Sequence, residues 1–339
     1  MNDPDKGDAS STFDDRNLLT STSSASAGSR KKTVTHLYDG LGREIETHDG
    51  DATGPLLTKH VWDPSNFEGR LASTTRYVGG ASGAAYTTTY NIYDTLYRPN
   101  RTTTTIPSVP GEEGLAGDYQ SNITYDANGT VRSTGYPAAG ALPAEALTPT
   151  YDDVLRPVTL TGTGGTTYVT GTTYSFTGKP LQSTYQSGGK KTQVTNTYQW
   201  GTQRLSNTRV DRENVPGTDK SSTFGYDQAG NITFISDVSR DGTDNQCFQY
   251  DYQRRLTQAW AQGTTTCAES PSGSVLGGPA PYWQSYTYDL SGNRRTETLH
   301  DKSGVEAKDV LRTYDYPEAG AEQVRTIYGW PLTRLLIAF

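Results

Sequence analysis

Methionine occurs once in the 339 residues, cysteine twice, and no apolar run approaches the ~20 residues that a membrane-spanning helix requires. Each shortage excludes something. Two cysteines, Cys247 and Cys267, cannot build a zinc site by themselves. Basic patches are missing as well: 30 Lys and Arg are outnumbered by 37 Asp and Glu, and their longest cluster is Arg30-Lys31-Lys32. Nucleic acid, which demands a basic face, is therefore not an expected partner. Ala, Leu and Lys never fall into a long periodic run, so helix is not the expected element. The opening MNDPDKGDASSTFDD has neither the basic nor the apolar stretch of a signal peptide, and the expectation is that this chain carries none of its own. There is no G-x-S-x-G, H-E-x-x-H or Cys/His dyad, and no cofactor is called for.

What is present points one way. Tyr supplies 23 residues against seven Phe and five Trp, Thr is abundant, and Gly reaches 36. Aromatic and β-branched residues favour a pleated surface, so the expected class is all-β. With few Leu, Ile and Val, the sheet faces must be covered largely by Tyr and Thr, which suits an open or hollow sheet better than a tightly packed sandwich. A net charge of −7 and a mean hydropathy of −0.71 describe a soluble, mildly acidic chain long enough for one large or two ordinary domains.

The chain also repeats itself. An aromatic followed by Asp or another polar residue recurs at Phe13-Asp14, Tyr38-Asp39, Trp62-Asp63, Tyr93-Asp94, Tyr125-Asp126, Tyr151-Asp152, Tyr174-Ser175, Tyr198-Gln199, Tyr226-Asp227, Tyr250-Asp251, Tyr288-Asp289 and Tyr314-Asp315. The period is about 24 residues with insertions. Before each anchor the sequence alternates, as in Tyr286-Thr287-Tyr288, which is strand grammar. After it, four units read Asp-x-x-Gly in full: Asp39 to Gly42, Asp126 to Gly129, Asp227 to Gly230 and Asp289 to Gly292. Asp opens a type I turn by accepting from its own downstream backbone, and Gly takes the positive φ that turns the chain back. Each unit is expected to be a β-hairpin. Tyr97, Leu155 and Arg254 stand where that glycine belongs, which predicts either another turn type or strain. The Ser-rich stretches 1–12 and 20–33 read as flexible, and residues 79–86, 104–117, 136–149 and 261–283 as inserted loops.

Candidate chemistry is sparse. His36 and His60 both precede an anchor by two residues, one repeat apart, which would place them on the same face of nearby hairpins; a metal pair lacks a third ligand in the sequence. His48 and His300 fall in second strands and read as ordinary surface residues. Ser187-Gly188-Gly189-Lys190-Lys191-Thr192 has the look of a phosphate loop but lacks its earlier glycine, and reads as a hairpin turn. The recurring Asp residues are accounted for by their turns.

Y-D-x-x-G-R/N followed by a β-like stretch, as in Tyr38-Asp39-Gly40-Leu41-Gly42-Arg43, resembles the YD repeat of the RHS family, whose relatives include a Tc toxin shell component and teneurin. The resemblance spans roughly residues 12–325 and implies tandem hairpins in a spiral sheet that encloses a C-terminal toxin. It divides the chain into a flexible 1–12, a repeat region 13–325 and an atypical tail 326–339. Members that release a toxin carry a D-P-x-G-L motif after the repeats. The Asp-Pro pairs here, Asp3-Pro4 and Asp63-Pro64, are not followed by Gly-Leu, so the expectation is a partial shell without plug or cargo. Because such proteins are generally exported, the resemblance favours a Cys247–Cys267 disulfide over two buried thiols, and a parent that is secreted or at the cell surface. Its implied partners are the rest of the parent shell and its toxin. The expected role is non-enzymatic, in competition between cells; the alternative is a carbohydrate-binding or adhesion surface, since Tyr rings can stack on sugars.

Overall fold

The computed structural model describes residues 2–3, 7–25, 32–316 and 326–329. Nearly all of that chain is antiparallel β, and the helical segments are three single 3-10 turns, none longer than three residues. Within each of its two compact units, consecutive strands pair with one another, as expected of hairpins in tandem. The chain divides into two compact units, one ending at Thr166 and one beginning at Thr167.

In the first unit, Lys32–Tyr38 pairs with Glu44–Asp49, Leu56–Trp62 with Leu71–Val78, Ala84–Tyr93 with Pro99–Ile106, Gly117–Tyr125 with Val131–Tyr136, and Glu145–Tyr151 with Pro157–Thr161. In the second, Thr167–Tyr174 pairs with Pro180–Ser187, Lys190–Tyr198 with Leu205–Arg212, Lys220–Tyr226 with Ile232–Ser239, Gly242–Tyr250 with Leu256–Gln262, and Trp283–Tyr288 with Arg294–Leu299. Each incoming strand ends on its anchor aromatic. There the register slips by one residue: Leu37 faces Glu46 while Tyr38 faces Glu44, and the same β-bulge stands at the other hairpin anchors from Phe13 to Tyr288. A bulge bends and over-twists the strand, so the repeat adds the same twist once per hairpin. Pro99, Pro157 and Pro180 pair with their anchors at these bulges, where a missing ladder donor costs least.

The sheet is covered as its composition requires. Only six hydrophobic residues among those described are fully buried: Tyr93, Cys247, Ala259, Trp260, Ala261 and Tyr314. Half-buried Thr fills much of the rest, and facing hydroxyls bond across strands at Thr47–Thr58 (2.7 Å), Thr75–Thr87 (3.0 Å), Thr150–Thr159 (2.6 Å) and Thr287–Thr296 (2.6 Å).

Two expectations need correction. Much of the Ser-rich N-terminal sequence is strand rather than loose chain, with Gly7–Phe13 pairing with Leu19–Ala25. Its Ser and Thr residues bond across the hairpin, Ser10 to Ser23 and Thr12 to Ser21, so hydroxyls do what aliphatic side chains do elsewhere. Tyr314 and Asp315 pair with Ile327 and Thr326, which places strand at the start of the expected tail. The remaining tail residues lie outside the described part. Of the two alternatives at Tyr97, Leu155 and Arg254, it is strain that holds and not another turn type. They adopt φ of 61°, 65° and 64° and make the glycine turn without glycine.

Candidate functional site

The repeat residues build links between neighbouring hairpins. Asp39 closes its own turn first: Gly42, at φ 78°, donates to the Asp39 carbonyl at 3.0 Å, and Asp39 Oδ1 accepts from the N–H groups of Leu41 and Arg43. Gly129, Gly230 and Gly292 make the same bond to Asp126, Asp227 and Asp289 with φ between 91° and 95°. Asp94, Asp152 and Asp251 repeat the full pattern, each also gripping the Nε of Arg98, Arg156 or Arg255 at 2.7 Å. Asp227 and Asp289 hold Asn231 and Asn293 in that place, while Asp126 takes Arg132 Nε instead.

The anchor then reaches backwards. The Tyr38 hydroxyl donates to the carbonyl of Leu19, the first residue of the preceding hairpin's outgoing strand, at 2.9 Å. Tyr93 does so to Leu71, Tyr151 to Val131, Tyr198 to Pro180, Tyr226 to Leu205, Tyr250 to Ile232 and Tyr288 to Leu256, over 2.6–3.1 Å. Trp62 does it with its indole N–H, to Glu44. The cation that closes the turn reaches forwards, lying over the next anchor ring: Arg43 over Trp62 at 5.1 Å, Arg98 over Tyr125 at 4.0 Å, Lys179 over Tyr198 at 4.9 Å, Arg204 over Tyr226 at 5.6 Å and Arg255 over Tyr288 at 4.8 Å. Arg43 also holds both oxygens of Asp63 at 2.7 Å. Tyr, Asp and Gly of the motif were legible in the sequence. The forward role of the cation was not, because its partner stands at least 19 residues away.

Electrostatics follow the geometry. The N–H of the residue four places on, together with the guanidinium it carries, holds the carboxyls of Asp39, Asp94 and Asp152 below the ordinary carboxylate value, against the opposing effect of burial. Arg43, helped by the Gly69 N–H, lowers Asp63 to about 2.

A second cluster lies in the second unit, under the insertion between Leu256–Gln262 and Trp283–Tyr288. Cys247 and Cys267 are joined by a disulfide with their Cα atoms 5.8 Å apart. Beside them, Trp260 is 1% exposed and donates its indole N–H to Gln262 Oε1 at 3.0 Å. The Gln262 amide in turn donates to the carbonyl and hydroxyl of Thr264 and to the Thr266 carbonyl, and its oxygen accepts the Ala268 N–H. One buried amide thus fixes three residues of the inserted loop, a role that a Gln in a strand does not announce in sequence.

His48, expected at the surface, is buried instead, with Nδ1 2.9 Å from the Gly54 carbonyl oxygen and Nε2 3.2 Å from Glu46 Oε2, and the other three histidines fall into two groups. Glu44 fills the third place beside His36 and His60, but it does so by direct contact, Oε2 to His36 Nδ1 at 2.7 Å and Oε1 to His60 Nε2 at 3.4 Å. Among the described residues, no group of three His, Cys, Asp or Glu is arranged to hold a metal ion. The other group is a Ser–His–Asp relay that sequence reading missed: Ser285 Oγ lies 2.9 Å from His300 Nε2, and His300 Nδ1 lies 2.7 Å from Asp309 Oδ2. It borders a cavity of about 370 Å³ lined by Trp283, His300, Asp301, Glu306 and Asp309 with the backbone near Gly273. Nucleophilic attack would need the serine hydroxyl to face that space. Ser285 does not line it, and the Trp283 ring stacks on the imidazole with centroids 3.7 Å apart. The relay, with Asp309 Oδ1 accepting the Asp301 N–H at 2.7 Å, fastens the 300–309 loop to the sheet.

Ser187–Lys190 forms a two-residue hairpin, with Gly188 and Gly189 at φ 54° and 76°, and no phosphate loop.

Tandem antiparallel hairpins, each with an aromatic anchor before its turn and most with Asp after it, are the fold expected of YD repeats, and solved structures share that fold. The crystal structures of TcdB2-TccC3-TEV and of TcdB2-TccC3 match 95% of this chain at 15% identity, with TM-scores of 0.72 and 0.71. The Tc holotoxin pore of Photorhabdus luminescens matches 90% at 15% identity and a TM-score of 0.53. The chain spans between 16% and 19% of the length of those chains. No family model matches the sequence, and no curated protein does.

Proposed function

We propose that the chain is a non-enzymatic segment of an RHS-type β-shell, whose secreted or cell-surface parent encloses or displays a C-terminal toxin used against competing cells. The observation that carries this reading is the continuous run of hairpins, alike over 95% of the chain to TcdB2-TccC3, in which the repeated residues are spent on joining neighbours. The Tyr, Asp, Gly and Arg residues of the repeat are committed to structure, and the serine of the Ser–His–Asp relay does not line the cavity that the relay borders. Its partners under this reading are the remaining repeats of the parent and the enclosed domain.

The full parent protein tests it by limited proteolysis. Its C-terminal domain should resist cleavage while the repeats are folded and be cut at least tenfold faster once they are unfolded in denaturant. A C-terminal domain cut equally fast in both states, or a parent in which no domain follows further repeats, would overturn the reading.

A further inference from the structure

The turns of the second unit carry apolar side chains that the turns do not need. The residue directly after the Asp position is Phe176, Trp200, Tyr252 and Leu290 in four of its five hairpins, and these are 106%, 95%, 87% and 99% exposed. Closure of the turn uses the carboxylate or hydroxyl before this residue and the backbone after it, as when Asp251 accepts from Gln253 and Arg255. Any polar side chain would serve. A single exposed hydrophobic residue is ordinary on a protein surface, but the same slot filled the same way from hairpin to hairpin is a pattern.

Topology puts these residues in a row. The five turns follow alternate strands of one antiparallel series running from Thr167–Tyr174 to Arg294–Leu299, so all five fall on one edge of the sheet. Two strand widths separate neighbours, about 10 Å. The charge of that edge is set by the turns themselves: Asp251 and Asp289 are turned inward onto their own turn amides, while Arg254 and Arg295 are exposed on the same two hairpins.

We propose that this edge docks on the surface of an anionic lipid bilayer, with Phe176, Trp200, Tyr252 and Leu290 entering the interface and Arg254 and Arg295 meeting the headgroups. The shape decides between occupants. Isolated knobs set about 10 Å apart, or about 20 Å where the middle hairpin carries Gln228, offer no groove and no continuous apolar patch. A folded partner would need a matching series of sockets, whereas a fluid interface closes around each knob separately. Trp, Tyr and Phe beside Arg is also the mixture that the headgroup region favours. The proposal goes beyond the shell reading and does not depend on it.

Flotation of the chain with phosphatidylcholine vesicles, with and without about a third phosphatidylglycerol, tests it. The chain should float with the anionic vesicles, less with neutral ones, and Trp200 emission should shift to the blue, a shift lost in Trp200→Phe while flotation persists. Replacing Phe176, Trp200, Tyr252 and Leu290 together by Ser should cut flotation roughly tenfold or more while leaving the circular dichroism and melting curve unchanged, since the slot is solvent-exposed. No flotation of the wild-type chain overturns the proposal, as does equal flotation of the four-fold variant. So does a wild-type oligomer in light scattering that the variant loses without any flotation, which would assign the edge to a second copy. Flotation confined to vesicles bearing glycolipid would assign it to carbohydrate.

Discussion

At the scale of single residues, the turn is where the repeat is most strictly written and where it is most easily improved. Leu155 holds φ at 65° with its side chain 48% exposed, so it bears the left-handed penalty with little packing in return. Leu155→Gly removes that penalty and adds back some unfolded-state entropy, for a net gain of roughly 0.5–1 kcal/mol, read as a higher midpoint in urea. Tyr97 is a different case: its ring meets Phe67 at 5.6 Å and the Arg70 guanidinium at 5.2 Å, and Tyr97→Gly loses those contacts. The same substitution is therefore expected to stabilise at 155 and not at 97. Gly42 is the reverse test. A Cβ there would meet Leu18 Cδ1 at 3.3 Å in a backbone with φ 78°, and Gly42→Ala should cost about 1 kcal/mol or more.

At the scale of the hairpin, stability depends on links to the hairpins on either side. Tyr226→Phe keeps the ring under Arg204 and removes only the 2.8 Å bond to the Leu205 carbonyl, so it should cost about 1 kcal/mol. The insertion has its own clasp. Reducing the Cys247–Cys267 bond, or replacing both residues by Ser, frees a loop of 20 residues and should cost about 3 kcal/mol, measured as a drop in Tm with dithiothreitol. How far these elements were legible depended on the range of the forces that make them. Asp39 to Gly42 is a local hydrogen-bonded turn, and the sequence spells it within four letters. Strands such as Leu19–Ala25 were read as loose because Ser and Thr carry no apolar alternation, and their pairing rests on hydroxyls that find partners only across the hairpin. The relay of Ser285, His300 and Asp309, and the Glu44 carboxylate between His36 and His60, are assembled by register, which no window of sequence displays.

At the scale of the whole chain, the same chemistry repeated many times sets the range of pH over which the protein is stable. The carboxyls of Asp39, Asp94 and Asp152 are depressed in the folded state, so the stability they contribute is complete above the unfolded carboxylate value near 3.8 and is lost as pH falls through the lower folded values. Tyr282 and Tyr314 are pushed up to about 12, by burial first and then by the charges of Asp244 and Glu297 respectively. Their contribution is complete below the unfolded phenol value near 10 and is lost as pH rises through about 12. Tm measured against pH should be flat between about 5 and 9 and fall on both sides. A protein unaffected by acid down to pH 2 would mean that the turn carboxylates contribute nothing.

The backward link from Tyr38, Trp62, Tyr93, Tyr151, Tyr198, Tyr226, Tyr250 and Tyr288 ends on a main-chain carbonyl, and every amino acid supplies one. Leu, Val, Ile, Pro and Glu all serve as acceptors along this chain. A hairpin can therefore drift in sequence, be duplicated, be dropped or be exchanged with another without its neighbour having to change in step. What must persist is the turn itself, which this chain makes with Gly or, at Tyr97, Leu155 and Arg254, without it. A gene built this way can be lengthened or shortened by recombination and still encode a folded protein, and the same fold is found where overall identity is 15%.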